Sequence, residues 1–233
     1  MTEIAKNLNQ LREQIQQLAQ RHGYRADDIL LLAVSKTKPA SAIRAAFAAG
    51  QRHFGENYLQ EALEKQGELA DLPLEWHFIG RIQGNKTRPI AEHFSWAHSL
   101  DSLKHAQRLA EQRPAPLPPL NVCLQVNLSG EASKGGVAPE QLPSLAEQVA
   151  QLPRLRLRGL MTLPAPASDL AQQRRPFHQL AELKQRLCAQ GLALDTLSMG
   201  MSADLEAAIA EGSTLVRIGT ALFGSRVAGQ GAG

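Results

Sequence analysis

Ile29-Leu30-Leu31-Leu32-Ala33-Val34-Ser35-Lys36-Thr37-Lys38-Pro39 is an apolar run that breaks into a polar turn and ends at a proline. Six consecutive apolar residues read as a strand covered on both faces, the pattern of a parallel sheet with helices packed outside it. A helix is expected to follow over 39–49. The strand places Lys36 at its C-terminal end, against the edge of a dry core.

Outward from this segment the alternation repeats. Strands are expected near 29–34, 52–54, 75–79, 95–99, 120–127, 156–162, 194–198 and 214–218. Between them lie helical stretches near 39–49, 56–66, 85–93, 101–112, 139–151, 172–190 and 202–211, with a short last one after Thr220. Ahead of them Ile4, Leu8, Leu11, Ile15 and Leu18 mark one face of an extra N-terminal helix over 3–22, ending near Gly23. Eight strands alternating with eight helices predict an α/β fold, a closed (β/α)8 TIM barrel. A doubly wound open sheet shows the same alternation, and the count of eight favours the barrel. Pro114, Pro116, Pro118 and Pro119 before the fifth strand, and Pro164 and Pro166 after the sixth, read as loops at barrel ends. With 233 residues and 43% hydrophobic content the chain suits a single domain over 1–233, with a disordered tail expected at 227–233.

Composition narrows the function classes. A formal net charge of +3, with basic and acidic residues interspersed, does not call for nucleic acid, although the sequence pI is about 9.0. No apolar run reaches membrane-spanning length, and Met1-Thr2-Glu3-Ile4 does not open a signal pattern, so a cytoplasmic location is expected. Cys123, in an expected strand, and Cys188, in an expected helix, lack metal-ligand spacing and read as reduced core or packing residues. His77, inside Trp76-His77-Phe78-Ile79, reads as a satisfied core histidine, and no other histidine stands at ligand spacing from it, so no metal site is supported. Gly80-Arg81-Ile82-Gln83-Gly84-Asn85-Lys86-Thr87 has the wrong spacing for a nucleotide phosphate loop. Arg154, Arg156 and Arg158 alternate along the sixth strand and read as solvated or paired side chains.

In such a barrel, functional groups collect where strands run into helices. Polar clusters fall there: Ser35-Lys36-Thr37-Lys38, Gly55-Glu56-Asn57-Tyr58, Gly80 to Lys86, Asn127 with Ser133-Lys134-Gly135-Gly136, Ser198-Met199-Gly200-Met201-Ser202 and Val216-Arg217-Ile218-Gly219-Thr220. Lys36 could be a plain surface lysine. Desolvation at a strand end would instead favour its neutral amine, which Schiff-base chemistry with an aldehyde requires, and pyridoxal 5'-phosphate (PLP) is the commonest aldehyde cofactor held this way. Loops after the seventh and eighth strands are the recurrent phosphate site of barrels, here offering Gly200, Ser202, Gly219 and Thr220. Ser202 could equally cap a helix beginning at Ala203. Period-two alternation puts Leu215, Arg217 and Gly219 on one face, so Arg217 points into the barrel mouth. There it could bind the phosphate, face a pyridine nitrogen, or pair with a neighbouring carboxylate.

The motifs Leu32-Ala-Val-Ser-Lys36-Thr-Lys-Pro39, His53-Phe-Gly-Glu-Asn57-Tyr58, Trp76-His-Phe-Ile-Gly80, Leu157-Arg-Gly-Leu-Met161, Leu197-Ser-Met-Gly-Met-Ser202 and Val216-Arg-Ile-Gly-Thr220 closely resemble the PLP homeostasis protein family. That family resembles the barrel half of alanine racemase and other fold type III PLP enzymes. The resemblance implies that Lys36 carries PLP as a Schiff base and that Arg217 faces the pyridine nitrogen. It also implies that Ser202, Gly219 and Thr220 hold the phosphate and that Asn57 and Met201 line the pocket. Arg81 is given no role. Fold type III racemases carry a further domain after the barrel, and the chain ends about a dozen residues past Thr220, so that domain is not expected. Two-base racemisation needs a group on each face of the ring, and Lys36 alone is an obvious candidate.

The function expected is therefore intracellular PLP storage and delivery by a non-catalytic, monomeric carrier, with apo PLP-dependent enzymes as transient partners and neither nucleic acid nor membrane involved. The alternatives are a low-activity amino-acid racemase and a Schiff-base barrel enzyme acting on a phosphorylated small molecule.

Overall fold

The apolar run that begins at Ile29 forms β1, Leu30–Val34, with four of its five residues buried. The computed structural model describes residues 2–129 and 135–224, so the expected tail and the Ser133-Lys134 part of the fifth rim cluster lie outside the described residues. The strands that follow are β2 His53–Glu56, β3 Glu75–Phe78, β4 Trp96–Leu100, β5 Leu120–Gln125, β6 Leu155–Met161, β7 Thr196–Ser198 and β8 Leu215–Ile218. They close in chain order into a parallel barrel. Closure is made by β8 on β1, with Leu32 opposite Arg217 and Ala33 opposite Ile218. The barrel, rather than the open sheet, is the fold.

Helix α1, Glu3–Arg21, is capped by Thr2, whose hydroxyl accepts from the Ala5 N–H, and buries Leu8, Leu11, Ile15, Leu18 and Ala19. It packs on α2 Ala40–Ala48, α8 Leu205–Ala210 and α9 Thr220–Phe223, across the seam where β8 meets β1. The remaining outer helices are α3 Leu59–Glu68, α4 Thr87–His93, α5 Leu103–Gln112, α6 Leu142–Ala150 and α7 Leu170–Ala189. Between strands and helices runs the main core, in which Phe54, Phe78, Phe94 and Phe177 are fully buried. Each such ring contributes about 1.5–3 kcal/mol of transfer free energy. A separate small cluster of Trp96, Cys123 and Met161 is buried apart from it.

Several expected boundaries move for local reasons. The helix expected over 202–211 begins at Leu205, because residues 201–204 form a turn in which Asp204 Oδ1 accepts from the Met201 N–H at 2.6 Å. Ser202 is therefore not a helix cap. Arg154 precedes β6 rather than lying on it, at a positive φ of 68°. Cys123 is buried as expected, with its thiol pushed up to about 12 by burial. Cys188 is exposed on α7, so the core or packing reading fails for it. Both proline clusters fall in loops. Among the described residues, no helix is long and apolar enough to cross a membrane.

Candidate functional site

Alternation along β1 decides where Lys36 goes. Leu32 lies opposite Arg217, and its side chain is among the nearest neighbours of Gly55 on β2, which marks the inner face. Continuing the period of two from Leu32 through Val34 brings Lys36 to the barrel mouth and turns Ser35 outward. The contacts agree: the Ser35 hydroxyl donates to Glu56 Oε1 behind the barrel at 2.5 Å, and Lys36 is half-buried. Thr37 takes the left-handed φ of 64° that lets the chain turn off the rim, and its N–H donates to Glu61 Oε1. Lys38 leaves in another direction, its Nζ donating to the carbonyls of Phe223 and Gly224 at the end of α9.

Arg217 points inward, as its register requires, and is 5% exposed. Its NH1 donates to the Ser198 carbonyl at 2.6 Å and hydroxyl at 2.8 Å, and its NH2 donates to the Thr162 carbonyl at 2.9 Å. These acceptors are neutral. Burial lowers the guanidinium to about 10, with Asp204 opposing that shift most strongly. The pairing with a carboxylate on a neighbouring strand is not what the structure adopts. Arg217 remains a cation with N–H groups beyond those engaged by Ser198 and Thr162.

Below Arg217 the barrel holds a chain of imidazoles. His98 Nδ1 lies 2.8 Å from Ser198 Oγ, His77 Nδ1 lies 2.9 Å from His98 Nε2, and His53 Nδ1 lies 3.1 Å from His77 Nε2. The guanidinium can only donate, so the buried Ser198 hydroxyl accepts from it and gives its own proton to His98. That donor count assigns the Nε2–H tautomer to His98 and His77 in turn. Burial, with Arg217 adding to it, lowers His98 to about 3. Burial and the two flanking imidazoles hold His77 well below its ordinary value. Both rings are neutral at physiological pH. His77 is the satisfied core histidine expected from its strand.

The other expected site residues come to the same rim. Asn57 follows β2 directly, half-buried, and its Oδ1 is buried without a hydrogen-bond partner. Gly80 packs so tightly on it that a Cβ there would lie 2.1 Å from the Asn57 carbonyl oxygen. Gly200, at φ +97°, lets the chain leave β7 where a Cβ would lie 2.5 Å from Ala208 Cβ, and its carbonyl accepts from the Arg217 N–H at 2.9 Å. Met201 and Ser202 are exposed beyond that turn. Gly219 packs against the last residue of β1, with a would-be Cβ 3.2 Å from the Val34 carbonyl oxygen, and Thr220 opens α9, exposed. The adjacent strands β7, β8, β1 and β2 thus present Met201, Ser202, Arg217, Gly219, Thr220, Lys36 and Asn57 at one mouth. Among the described residues, no group of three His, Cys, Asp or Glu side chains could hold a metal ion.

These residues suit PLP: a lysine for the aldehyde, an orphaned buried acceptor in Asn57, a buried arginine with N–H groups to spare, and hydroxyls beside close-packed glycine turns. Sequence reasoning overlooks Lys65, which lies 2.8 Å from Glu56 and is 5% exposed. Its i,i+4 spacing from Glu61 on α3 reads as an ordinary surface pair. It also overlooks His53, His98 and Thr162, whose partners lie on other strands.

A model of the alanine racemase N-terminal domain family matches residues 6–227. The pyridoxal phosphate homeostasis protein of Pseudomonas aeruginosa is 67% identical over 226 residues, covering 97% of each chain. That of Escherichia coli is 55% identical over 229 residues, covering 97% of this chain and 98% of its own. The structure of PipY from Synechococcus elongatus with PLP bound is 42% identical, with a TM-score of 0.85 over 95% of this chain and 100% of that one. Alanine racemase of Corynebacterium glutamicum, at 20% identity and a TM-score of 0.69 over 98% of this chain and 62% of its own, shares the fold. Identity of this extent along the whole barrel, on top of the family match, means that the chain belongs to the pyridoxal phosphate homeostasis protein family, built on the alanine racemase N-terminal domain.

Proposed function

We propose that this protein holds PLP reversibly as a Schiff base on Lys36 and serves its storage and delivery to apo PLP-dependent enzymes, acting as a single-domain cytoplasmic monomer without turnover of its own. The observation that carries this reading is the meeting of Lys36, Arg217 and the two hydroxyl-bearing glycine turns on the three adjacent strands β7, β8 and β1. The PLP-bound structure of PipY, 42% identical, supports it. When bound, PLP supplies an aldehyde for covalent attachment and a ring that can withdraw electrons. In this reading Lys36 provides the attaching amine, while Ser202, Gly219 and Thr220 bind the phosphate. Arg217 donates to the ring nitrogen and so disfavours its protonation, which weakens the ring as an electron sink. Asn57 and Met201 border the ring.

The test loads the protein with PLP and adds an apo-enzyme together with a trap for free cofactor. Recipient activity should appear despite the trap, and the loaded protein alone should not racemise or decarboxylate common amino acids. Robust Lys36-dependent turnover, in the usual enzymatic range of about 1–1000 per second, would replace the carrier reading with the racemase one.

The phosphate contacts make a second expectation. Ser202→Ala and Thr220→Val should each weaken PLP binding about tenfold, equivalent to about 1–2 kcal/mol for one charge-assisted bond. Titration followed by absorbance measures it, and unchanged affinity in both variants would move the phosphate elsewhere.

A further inference from the structure

Behind β1, outside the barrel mouth, lie three charged side chains that the pocket does not use. Glu56 is fully buried at the end of β2, Lys65 on α3 is 5% exposed, and Glu61 lies one turn before it. Lys65 Nζ donates to Glu56 Oε1 at 2.8 Å, to Glu61 Oε1 at 2.5 Å and to the Ser35 carbonyl at 2.8 Å, which uses all three of its protons. Glu56 Oε1 also accepts the Ser35 hydroxyl, and Glu61 Oε1 accepts the Thr37 N–H, both at 2.5 Å. Outside the triad itself, these contacts fall on Ser35 and Thr37, the two neighbours of Lys36.

We infer that Glu56, Lys65 and Glu61 are positioning residues for Lys36: a brace, anchored by the buried Glu56–Lys65 pair, that grips the chain on both sides of it and holds its amine at the mouth. The inference rests on the reading that Lys36 carries the cofactor.

Three observations support it. First, burying a charged pair such as Glu56 and Lys65 is a poor route to stability, since apolar residues of similar volume usually serve as well or better, so stability alone does not account for it. Second, Thr37 is β-branched and stands at φ +64°, a conformation that persists only where its surroundings impose it, and Glu61 holds its N–H there. Third, the outward pull on Ser35 is what turns the next side chain inward, because successive residues of an extended chain point to opposite sides. Attachment condenses the Lys36 amine with the aldehyde: a C=N bond forms, the carbonyl oxygen leaves as water, and no redox change occurs. The fraction of time the amine spends in reach of the aldehyde sets how favourable that step is. The brace raises that fraction without touching the cofactor. Burial pushes the Glu56 carboxyl up, while the Lys65 ammonium and the Ser35 hydroxyl oppose the shift.

The test compares two ligands. PLP can attach; pyridoxine 5'-phosphate, which has no aldehyde, reports only phosphate and ring binding. Glu61→Gln is the principal variant, since Glu61 is 29% exposed and the change keeps its shape. Its melting temperature without ligand should match that of the parent. Pyridoxine phosphate affinity should stay within about twofold, whereas the covalent attachment constant, read by absorbance and by borohydride-trapped peptide, should fall about tenfold. Lys65→Met should lose more, and if it does not fold, Glu61→Gln decides alone. Unchanged attachment in Glu61→Gln, or equal weakening of both ligands, would overturn the brace while leaving Lys36 as the attachment point. Parent-protein label on a lysine other than Lys36 would overturn the attachment reading, and the brace with it.

Discussion

Borohydride reduction of the PLP-loaded protein is expected to fix the cofactor on Lys36 and on no other lysine. Peptide mapping should recover the label there, and Lys36→Ala should abolish it. Affinity in that variant should drop to what phosphate and ring contacts supply, a loss of about 3 kcal/mol or more, on the order of a hundredfold. The expectation comes from the register of β1 and β8, which sets Leu32 opposite Arg217 and carries the inner face on to Lys36. Lys38 is the nearest competitor in sequence, and its ammonium is turned to the carbonyls of Phe223 and Gly224 instead. Label mainly on Lys38, Lys86 or Lys134 would remove the basis of the assignment.

The second large effect is an acid-labile fold. His98 is lowered to about 3 and His77 well below 6.5 in the folded state, so the unfolded chain binds more protons below about pH 6.5. Stability therefore falls as pH falls through 6.5, and for His98 it goes on falling until about pH 3 is reached. For His98 the cost approaches about 1.4 kcal/mol per pH unit, or about 2 kcal/mol between pH 7 and pH 5, and His77 adds to it in the same direction. Glu56, with its carboxyl raised by burial, acts in the opposite sense, so total pH dependence does not isolate the imidazoles. A comparison does. Urea unfolding of the ligand-free protein at pH 7 and pH 5 should show His98→Asn losing about 2 kcal/mol less than the parent on acidification. Equal losses in both would mean that the buried ring does not stay neutral.

The barrel is legible in the chain because its evidence is local. Runs such as Leu30–Val34 and amphipathic stretches such as Leu8, Leu11, Ile15 and Leu18 declare their periods within a few residues, and eight repeats leave little choice of architecture. The inward turn of Arg217 is legible for the same reason, being a matter of parity along β8. Pairings across the sheet are not. Nothing in the sequence joins His98 to Ser198, a hundred residues away, or Lys65 to Ser35, because those contacts exist only once the strand order is set. Ser202 misleads as a helix cap because Asp204, two residues on, closes the turn first. Cys188 misleads because a cysteine in a helix carries no mark of which face it occupies, and α7 turns it to solvent.

The imidazole chain also governs how the barrel chooses its own closure. An interior of leucines and valines would pack almost as well with a strand slipped along its neighbour, since apolar contact has no direction. A hydrogen-bonded string does. A slip of one residue in β4 would turn His98 outward and leave Ser198 without its acceptor, and one in β3 would turn His77 outward and break the string at its middle, leaving isolated buried polar groups. Each mispaired arrangement carries that penalty and the native one does not, so the polar interior widens the gap between the correct barrel and its near copies.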